Sequence, residues 1–171
     1  MLEVIIAILT ITAFLTGTLQ LMAVDALYRV RAERQAQANF WIQDDFENVK
    51  ALAASLDGKS SPDYVSDDVC TNTDQGYATA LRRQLTATPL TTTTIPTEQL
   101  VTTTTIVGKK NYSLVRTFNI ANQSANPHRL RIDYEVKLAT GQTADDYPNQ
   151  ENVIARSSVE VIPDASFKCP S

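Results

Sequence analysis

The first twenty-four residues form an almost unbroken apolar run, and they constrain the fold more than any other part of this chain. Only Glu3, Gln20 and a few threonines interrupt the run. An α-helix rises about 1.5 Å per residue, so a helix of this length spans roughly 36 Å and crosses a hydrocarbon core of about 30 Å. The run therefore predicts a membrane-spanning helix over residues 1–24.

Glu3 is the one ionisable residue in this run. A carboxylate in an inserting helix costs up to a few kcal/mol, and such a residue usually serves a partner. A plain membrane anchor has no use for this charge. The position of Glu3 therefore indicates that the helix contacts something besides lipid.

The helical pattern continues beyond the apolar run. Residues 24–56 contain neither proline nor glycine. Apolar side chains recur there at helical spacing, at Ile42, Phe46, Val49, Leu52 or Ala53, and Leu56. A single helix of some 56 residues would be about 84 Å long. The pattern predicts a distal helix over residues 25–57 that packs on a globular head, with Trp41 in the core or in a subunit contact.

The opening residues MLEVIIAIL resemble the start of a type IV pilin or pseudopilin. Mature members of that family begin Phe-Thr-Leu-(Leu or Ile)-Glu and continue into an apolar helix. On that match, Glu3 stands at the family's fifth-residue glutamate. Two features of the family pattern differ. The basic leader, its glycine and the first two mature residues do not precede Met1 in this sequence, and Gln20 stands where many pilins have a proline.

The resemblance implies a structural subunit whose apolar helices bundle in a filament core. Glu3 would pair there with the N-terminal ammonium of a neighbouring subunit. The implied partners are other pilin subunits, the inner-membrane assembly machinery, and the membrane itself before assembly. The implied location is the inner membrane as a precursor pool, followed by an extracytoplasmic or cell-surface filament.

The remainder of the head, residues 25–171, divides by composition and periodicity. Residues 58–98 are predicted to hold a loop, a short helix over residues 73–85 capped by Thr73 or Asp74, and a threonine-rich extended connector. Period-two patterns predict an antiparallel meander over residues 99–162, with strands at 99–107, 111–121, 129–138 and 153–162. Gly108, Lys109 and Lys110 would form the first turn.

Two strands show the alternation most clearly. One face of residues 129–138 is apolar at Leu130, Ile132, Tyr134, Val136 and Leu138. Residues 111–121 place Arg116 among Tyr112, Leu114, Phe118 and Ile120, so this arginine must reach the sheet edge or meet an acid. Val153, Ala155, Val159 and Val161 share one side of the last strand. We therefore predict an α+β fold with the long N-terminal helix packed on the apolar face of a four-stranded antiparallel sheet, whose other face is wet.

Two cysteines lie far apart in the chain, Cys70 and Cys169. One interpretation is a disulfide that closes a loop of about 100 residues, pins the tail at 163–171 and indicates an oxidising compartment. The alternative is two unrelated buried thiols. With His128 as the only histidine and no Cys-x-x-Cys motif, neither a zinc site nor another cofactor is expected.

No motif in the sequence indicates catalysis. The carboxylate pairs Asp44-Asp45, Asp67-Asp68 and Asp145-Asp146 are typical of solvated acids, and five glycines form no phosphate-binding loop. A net charge of −4 argues against a general nucleic-acid binder.

Two hypotheses of function follow. The chain is either a filament subunit, a minor pilin or pseudopilin serving adhesion, motility, DNA uptake or secretion, or a non-polymerising single-pass envelope protein that binds a partner through its head.

Overall fold

A computed structural model describes residues 2–106, 110–145 and 150–170. Two helices, α1 (Leu2–Ser55) and α2 (Tyr77–Leu85), precede four strands, and a short 3-10 helix (Asp164–Lys168) follows them. The strands are β1 (Glu98–Ile106), β2 (Lys110–Asn119), β3 (Leu130–Leu138) and β4 (Val153–Val161). Met1, the predicted turn at Gly108 and Lys109, and the acid Asp146 lie outside the described residues.

The long helix is continuous, and only its distal half packs on the head. Its buried positions recur three or four residues apart, at Arg34, Ala38, Ile42, Asp45, Val49 and Ala53. The helix ends at Ser55, two residues earlier than predicted, because the Asp57 carboxylate accepts hydrogen bonds from the backbone N–H groups of Lys59 (2.8 Å) and Ser60 (2.6 Å) and forms a turn. Trp41 and Phe46 pack beside the buried stripe against the core.

The four strands form one antiparallel meander in the order β1-β2-β3-β4, as the sequence predicts. The apolar face of β3 is buried as expected at Leu130, Ile132, Tyr134 and Val136. The α+β fold, with the long helix on a four-stranded antiparallel sheet, is therefore confirmed. The core lies between the distal half of α1, α2 and this face of the sheet.

The prediction of a uniformly wet second face is wrong for β2, where residues 112–116 are all buried. Val115 lies between Leu100 and Glu135 on the flanking strands, and these neighbours exclude water from it. The Ser113 hydroxyl is paired with that of Thr103 at 3.0 Å. Ile120, expected on the apolar face, follows the end of the strand and is exposed.

A β-bulge changes the phase of β4. Val136 pairs with Ala155 but Lys137 pairs with Val153, so Ile154 is an extra residue. Ile154 and Ala155 pack against the core, whereas Val153 lies opposite Lys137. The prediction that Val153 shares the apolar side with Ala155 is therefore wrong, because the bulge interrupts the period-two pattern.

The short helix α2 begins at Tyr77, and its N-cap is Gly76 rather than Thr73 or Asp74. The loop before β3 supplies the acceptors that a side-chain cap would have provided. The backbone N–H of Ala78 donates to the carbonyl of Pro127 at 2.9 Å, and the N–H of Tyr77 donates to Nδ1 of His128 at 3.2 Å. A tertiary contact thus satisfies the first turn of the helix.

Cys70 and Cys169 are joined by a disulfide, with Cα atoms 5.3 Å apart and a sequence separation of 99 residues. The bond ties the 3-10 helix and the C-terminal tail to the loop that follows α1. Closing a loop of this length removes about 4.7 kcal/mol of chain entropy from the unfolded state in the simplest model.

Candidate assembly and membrane surface

The apolar half of α1 extends away from the head. Residues 2–24 are exposed except for Gly17 and Thr18, which are half-buried, and the large apolar side chains in this segment have exposed fractions of 47–73%. The helix is long and apolar enough to cross a membrane, and none of its most apolar stretch is buried against the head. This surface needs lipid or other apolar helices as a cover.

The threonines of this segment do not make it polar. Each hydroxyl donates to a backbone carbonyl one turn earlier: Thr10 to Ala7 (2.9 Å), Thr12 to Ile8 (2.6 Å), Thr16 to Thr12 (2.8 Å) and Thr18 to Leu15 (2.9 Å). A hydroxyl that is satisfied within its own helix enters an apolar environment at low cost. The sequence shows the threonines, but only the structure shows that their donors are satisfied.

Glu3 lies in the first turn of α1, on the exposed apolar segment. It forms no ion pair with another described residue. The helix macrodipole favours a negative charge at this end, but by less than the cost of burying an uncompensated carboxylate. An apolar environment for this segment therefore requires either protonation of Glu3 or a cation from elsewhere.

The polar part of the helix begins at Asp25, which pairs with Arg29 at 2.9 Å on an exposed face. The helix reaches the head about two and a half turns after Asp25, where Arg34 is buried. A groove of about 340 Å³ separates helix and sheet there, lined on the helix by Tyr28, Arg31 and Arg34 and on the sheet side by Glu151 and Ile154. This groove lies at the end of the head that faces the apolar half of α1.

A buried ion pair fixes the distal helix on the sheet. Nε of Arg116 in β2 donates to Oδ2 of Asp45 at 2.7 Å, its Nη2 donates to Oδ1, and both side chains are only 8% exposed. Arg116 thus meets an acid, one of the two outcomes expected from the sequence. The interpretation of Asp44-Asp45 as solvated is wrong for Asp45, because α1 turns this side chain toward the sheet.

The ion pair belongs to a polar chain that crosses the core. Nη1 of Arg116 donates to Oε1 of Gln99 in β1 at 3.1 Å, and Nε2 of Gln99 donates to the carbonyl of Leu85 at the end of α2 at 2.8 Å. Tyr134 of β3 lies beside it, and burial together with the Asp45 charge raises the pKa of its hydroxyl. These hydrogen bonds connect α1, β1, β2 and α2.

Two further polar residues have roles that the sequence did not reveal. Arg83 is buried in α2, and its Nη1 donates to the carbonyls of Pro89 (2.9 Å) and Thr92 (2.8 Å), which holds the threonine-rich connector in place. His128 accepts from the first turn of α2, and desolvation lowers its pKa. Both side chains satisfy backbone groups, which is a structural use.

Two acids from the other predicted carboxylate pairs, Asp68 and Asp145, also have polar partners. Asp68 accepts from Ser66 and from Nδ2 of Asn72 (2.8 Å), and the first of these bonds is the main reason that its pKa is lowered. Asp145 pairs with Lys110 across the end of the sheet. Within residues 2–106, 110–145 and 150–170, no three His, Cys, Asp or Glu side chains come together as metal ligands would.

Comparison with known proteins adds no family to these observations. No family model matches the chain, and neither a curated protein nor a solved structure is detectably similar to it. The long apolar helix on a four-stranded antiparallel sheet is nevertheless compatible with a pilin-like architecture.

Proposed function

We propose that this chain is a structural subunit of a type IV pilus-like filament, a minor pilin or pseudopilin rather than an enzyme. The observation that carries the proposal is the division of α1, with one half packed on the head through a buried stripe and the other exposed, apolar and marked by Glu3. Such a helix has one end for lipid or a helical bundle and another end that fixes the head.

The geometry of α1 supports assembly through the apolar half. At about 1.5 Å per residue, the segment before Asp25 is about 35 Å long, enough to cross a bilayer in the precursor or to pack along neighbouring helices in a filament. Its threonine donors are satisfied internally, so both environments are open to it. The partners are other copies or related subunits, with inner-membrane machinery needed for extraction from the bilayer.

Glu3 supports an assembled state over a plain anchor. Near the membrane boundary a carboxylate stays hydrated or protonated at small cost, whereas between packed helices it needs a cation. A pairing site of this kind admits one register and so defines how each subunit docks on the next. The process served, whether adhesion, motility, DNA uptake or secretion, depends on the head.

The alternative is a single-pass envelope protein that does not polymerise. The exposed apolar segment fits a bilayer as well as a bundle, and the disulfide suits an extracytoplasmic head in either case. The two proposals differ in whether Glu3 has a partner.

Substitution of Glu3 separates them. We expect Glu3→Gln and Glu3→Ala to insert into membranes normally but to enter filaments poorly, because both remove the charge. Glu33→Gln is the matched control, since Glu33 is an exposed glutamate on the same helix outside the apolar segment. The measurement is the ratio of protein in sheared surface filaments to protein in the membrane fraction. Wild-type ratios for both Glu3 variants would favour the plain envelope protein.

A further inference from the structure

We propose that the outer edges of β1 and β4 pair with each other between neighbouring copies of this chain, so that the assembled heads share one continuous antiparallel sheet. This inference rests on the proposed function, because it requires copies that stand side by side in one orientation. The partner is a second copy of the same chain.

Both edges are open in the part of the chain that the structure describes. β1 and β4 are the outermost strands. Among the described residues, no backbone N–H or C=O of either strand makes a backbone hydrogen bond outside the pairing with β2 or β3. Residues 150–156, at the start of β4, line a groove of about 640 Å³. Unpaired strand edges are templates for a further strand.

The direction of the strands selects the partner edge. In a meander of four antiparallel strands, β1 and β4 run in opposite directions. A neighbour in the same orientation therefore presents its β4 antiparallel to β1, with its α1 on the same face of the sheet. Antiparallel pairing of β1 with β1 would need a twofold axis perpendicular to the sheet, which would reverse the second α1, and parallel pairing would place the second α1 on the other face of the sheet. The β1–β4 contact keeps every α1 on one face with its apolar segment pointing the same way, and it can repeat from copy to copy.

The chemistry of β1 also favours pairing. Its nine residues, EQLVTTTTI, include one charge and neither lysine nor proline, the residues that commonly protect edge strands. Its bulge lies between Leu100 and Thr102, so the pairing of residues 102–106 with β2 is regular. Threonine is β-branched and favours an extended chain. On β4, Arg156 and Glu160 carry opposite charges, so this strand does not repel a neighbouring strand through an excess of one charge.

Cysteine cross-linking tests the contact. Thr103 lies on the face of the sheet opposite α1, as do the exposed β4 residues Arg156, Ser158 and Glu160. We would combine Thr103→Cys with cysteine at each β4 position in turn, which samples the possible registers. Within one chain the two edges are three strand spacings apart, about 14 Å, beyond the reach of a disulfide. The native cysteines are bonded to each other, so the introduced thiols are the only ones that react.

The matched control is Thr117→Cys with the same β4 partners. Thr117 is exposed on the same face, but it lies on the inner strand β2, where a neighbouring sheet cannot reach it. After mild oxidation of intact cells that make the full chain, we expect dimers and higher oligomers for at least one Thr103 pair and monomer for every Thr117 pair. Monomer for all three Thr103 pairs would overturn the inference, as would equal ladders from Thr117.

The sheared-filament ratio of Glu3→Gln, measured in parallel, separates this inference from the proposed function. Filaments that depend on Glu3 but give no Thr103 ladder would refute edge pairing and leave the filament role intact. A Thr103 ladder in membranes without Glu3-dependent filaments would support edge pairing and refute the filament role.

Discussion

The ion pair between Asp45 and Arg116 gives the sharpest prediction, because it is buried and joins the long helix to the sheet. Asp45→Asn removes the charge and keeps the shape. Arg116 would lose the carboxylate charge and one of its two acceptor oxygens, because the amide nitrogen of asparagine donates instead of accepting, and Gln99 would not replace that charge. Breaking a buried pair by removing one partner costs about 3–5 kcal/mol, since the other charge remains desolvated.

For a protein of this size, a loss of about 3–5 kcal/mol corresponds to a fall in Tm of about 6–20 °C. The measurement is urea unfolding of the full chain in mild detergent, followed by tryptophan fluorescence. Trp41 is the only tryptophan and packs against the core, so it reports on the docking of α1. The denaturant midpoint should fall with little change in the m-value.

Two further variants test whether burial of the ion pair causes the loss of stability in Asp45→Asn. Glu47→Gln breaks an exposed pair with Lys50 on the same helix and should cost less than about 1 kcal/mol. Asp45→Leu combined with Arg116→Met replaces both charges with apolar groups and should recover most of the stability that Asp45→Asn loses. The reasoning would be refuted if Asp45→Asn cost no more than Glu47→Gln, or if the double variant were less stable than Asp45→Asn.

Two other predictions concern the start of α2. Gly76→Ala should lower the free energy of unfolding by about 1–3 kcal/mol, because its added Cβ would lie 2.2 Å from the carbonyl oxygen of Pro127. Gly58→Ala is the control and should be nearly neutral in the same unfolding assay, since there is open space around its Cβ. Equal effects of the two substitutions would contradict the close contact. The pKa of His128 in the folded protein lies below its ordinary 6.5, so as the pH falls the unfolded chain binds a proton before the folded protein does. The contribution of neutral His128 to stability should therefore be complete above about pH 6.5 and should decline as the pH falls through the lowered pKa. NMR titration of the imidazole checks this, and a pKa at or above 6.5 would show that the half-buried, hydrogen-bond-accepting state is wrong.

Much of the architecture could be predicted from local pattern. The apolar run and the stripe from Ile42 to Leu56 repeat at the helical period, and β3 alternates without interruption. Each of these signals is repeated over many residues, so the average direction of burial is clear even without knowledge of the partner surface. The antiparallel order followed from alternating segments with turn residues between them.

Single polar residues could not be interpreted in the same way. Asp45 lies beside Asp44 in the sequence, and nothing local distinguishes a solvated acid from one that meets an arginine 71 residues away. Arg83 has its acceptors on a threonine-rich segment whose path depends on that arginine. Their partners are defined only when distant segments meet.

For the function, the sequence by itself determined that this chain has an apolar helix with one charge near its start, since composition and period are local properties. It also carried the resemblance on which the filament proposal rests. Only the tertiary structure decided that Gly76 and His128 form a cap, that Ile154 is a bulge, and that the β1 and β4 edges make no further backbone hydrogen bonds among the described residues. Those features depend on which backbone groups find partners across the fold, and hydrogen bonding between distant segments leaves no period in the sequence.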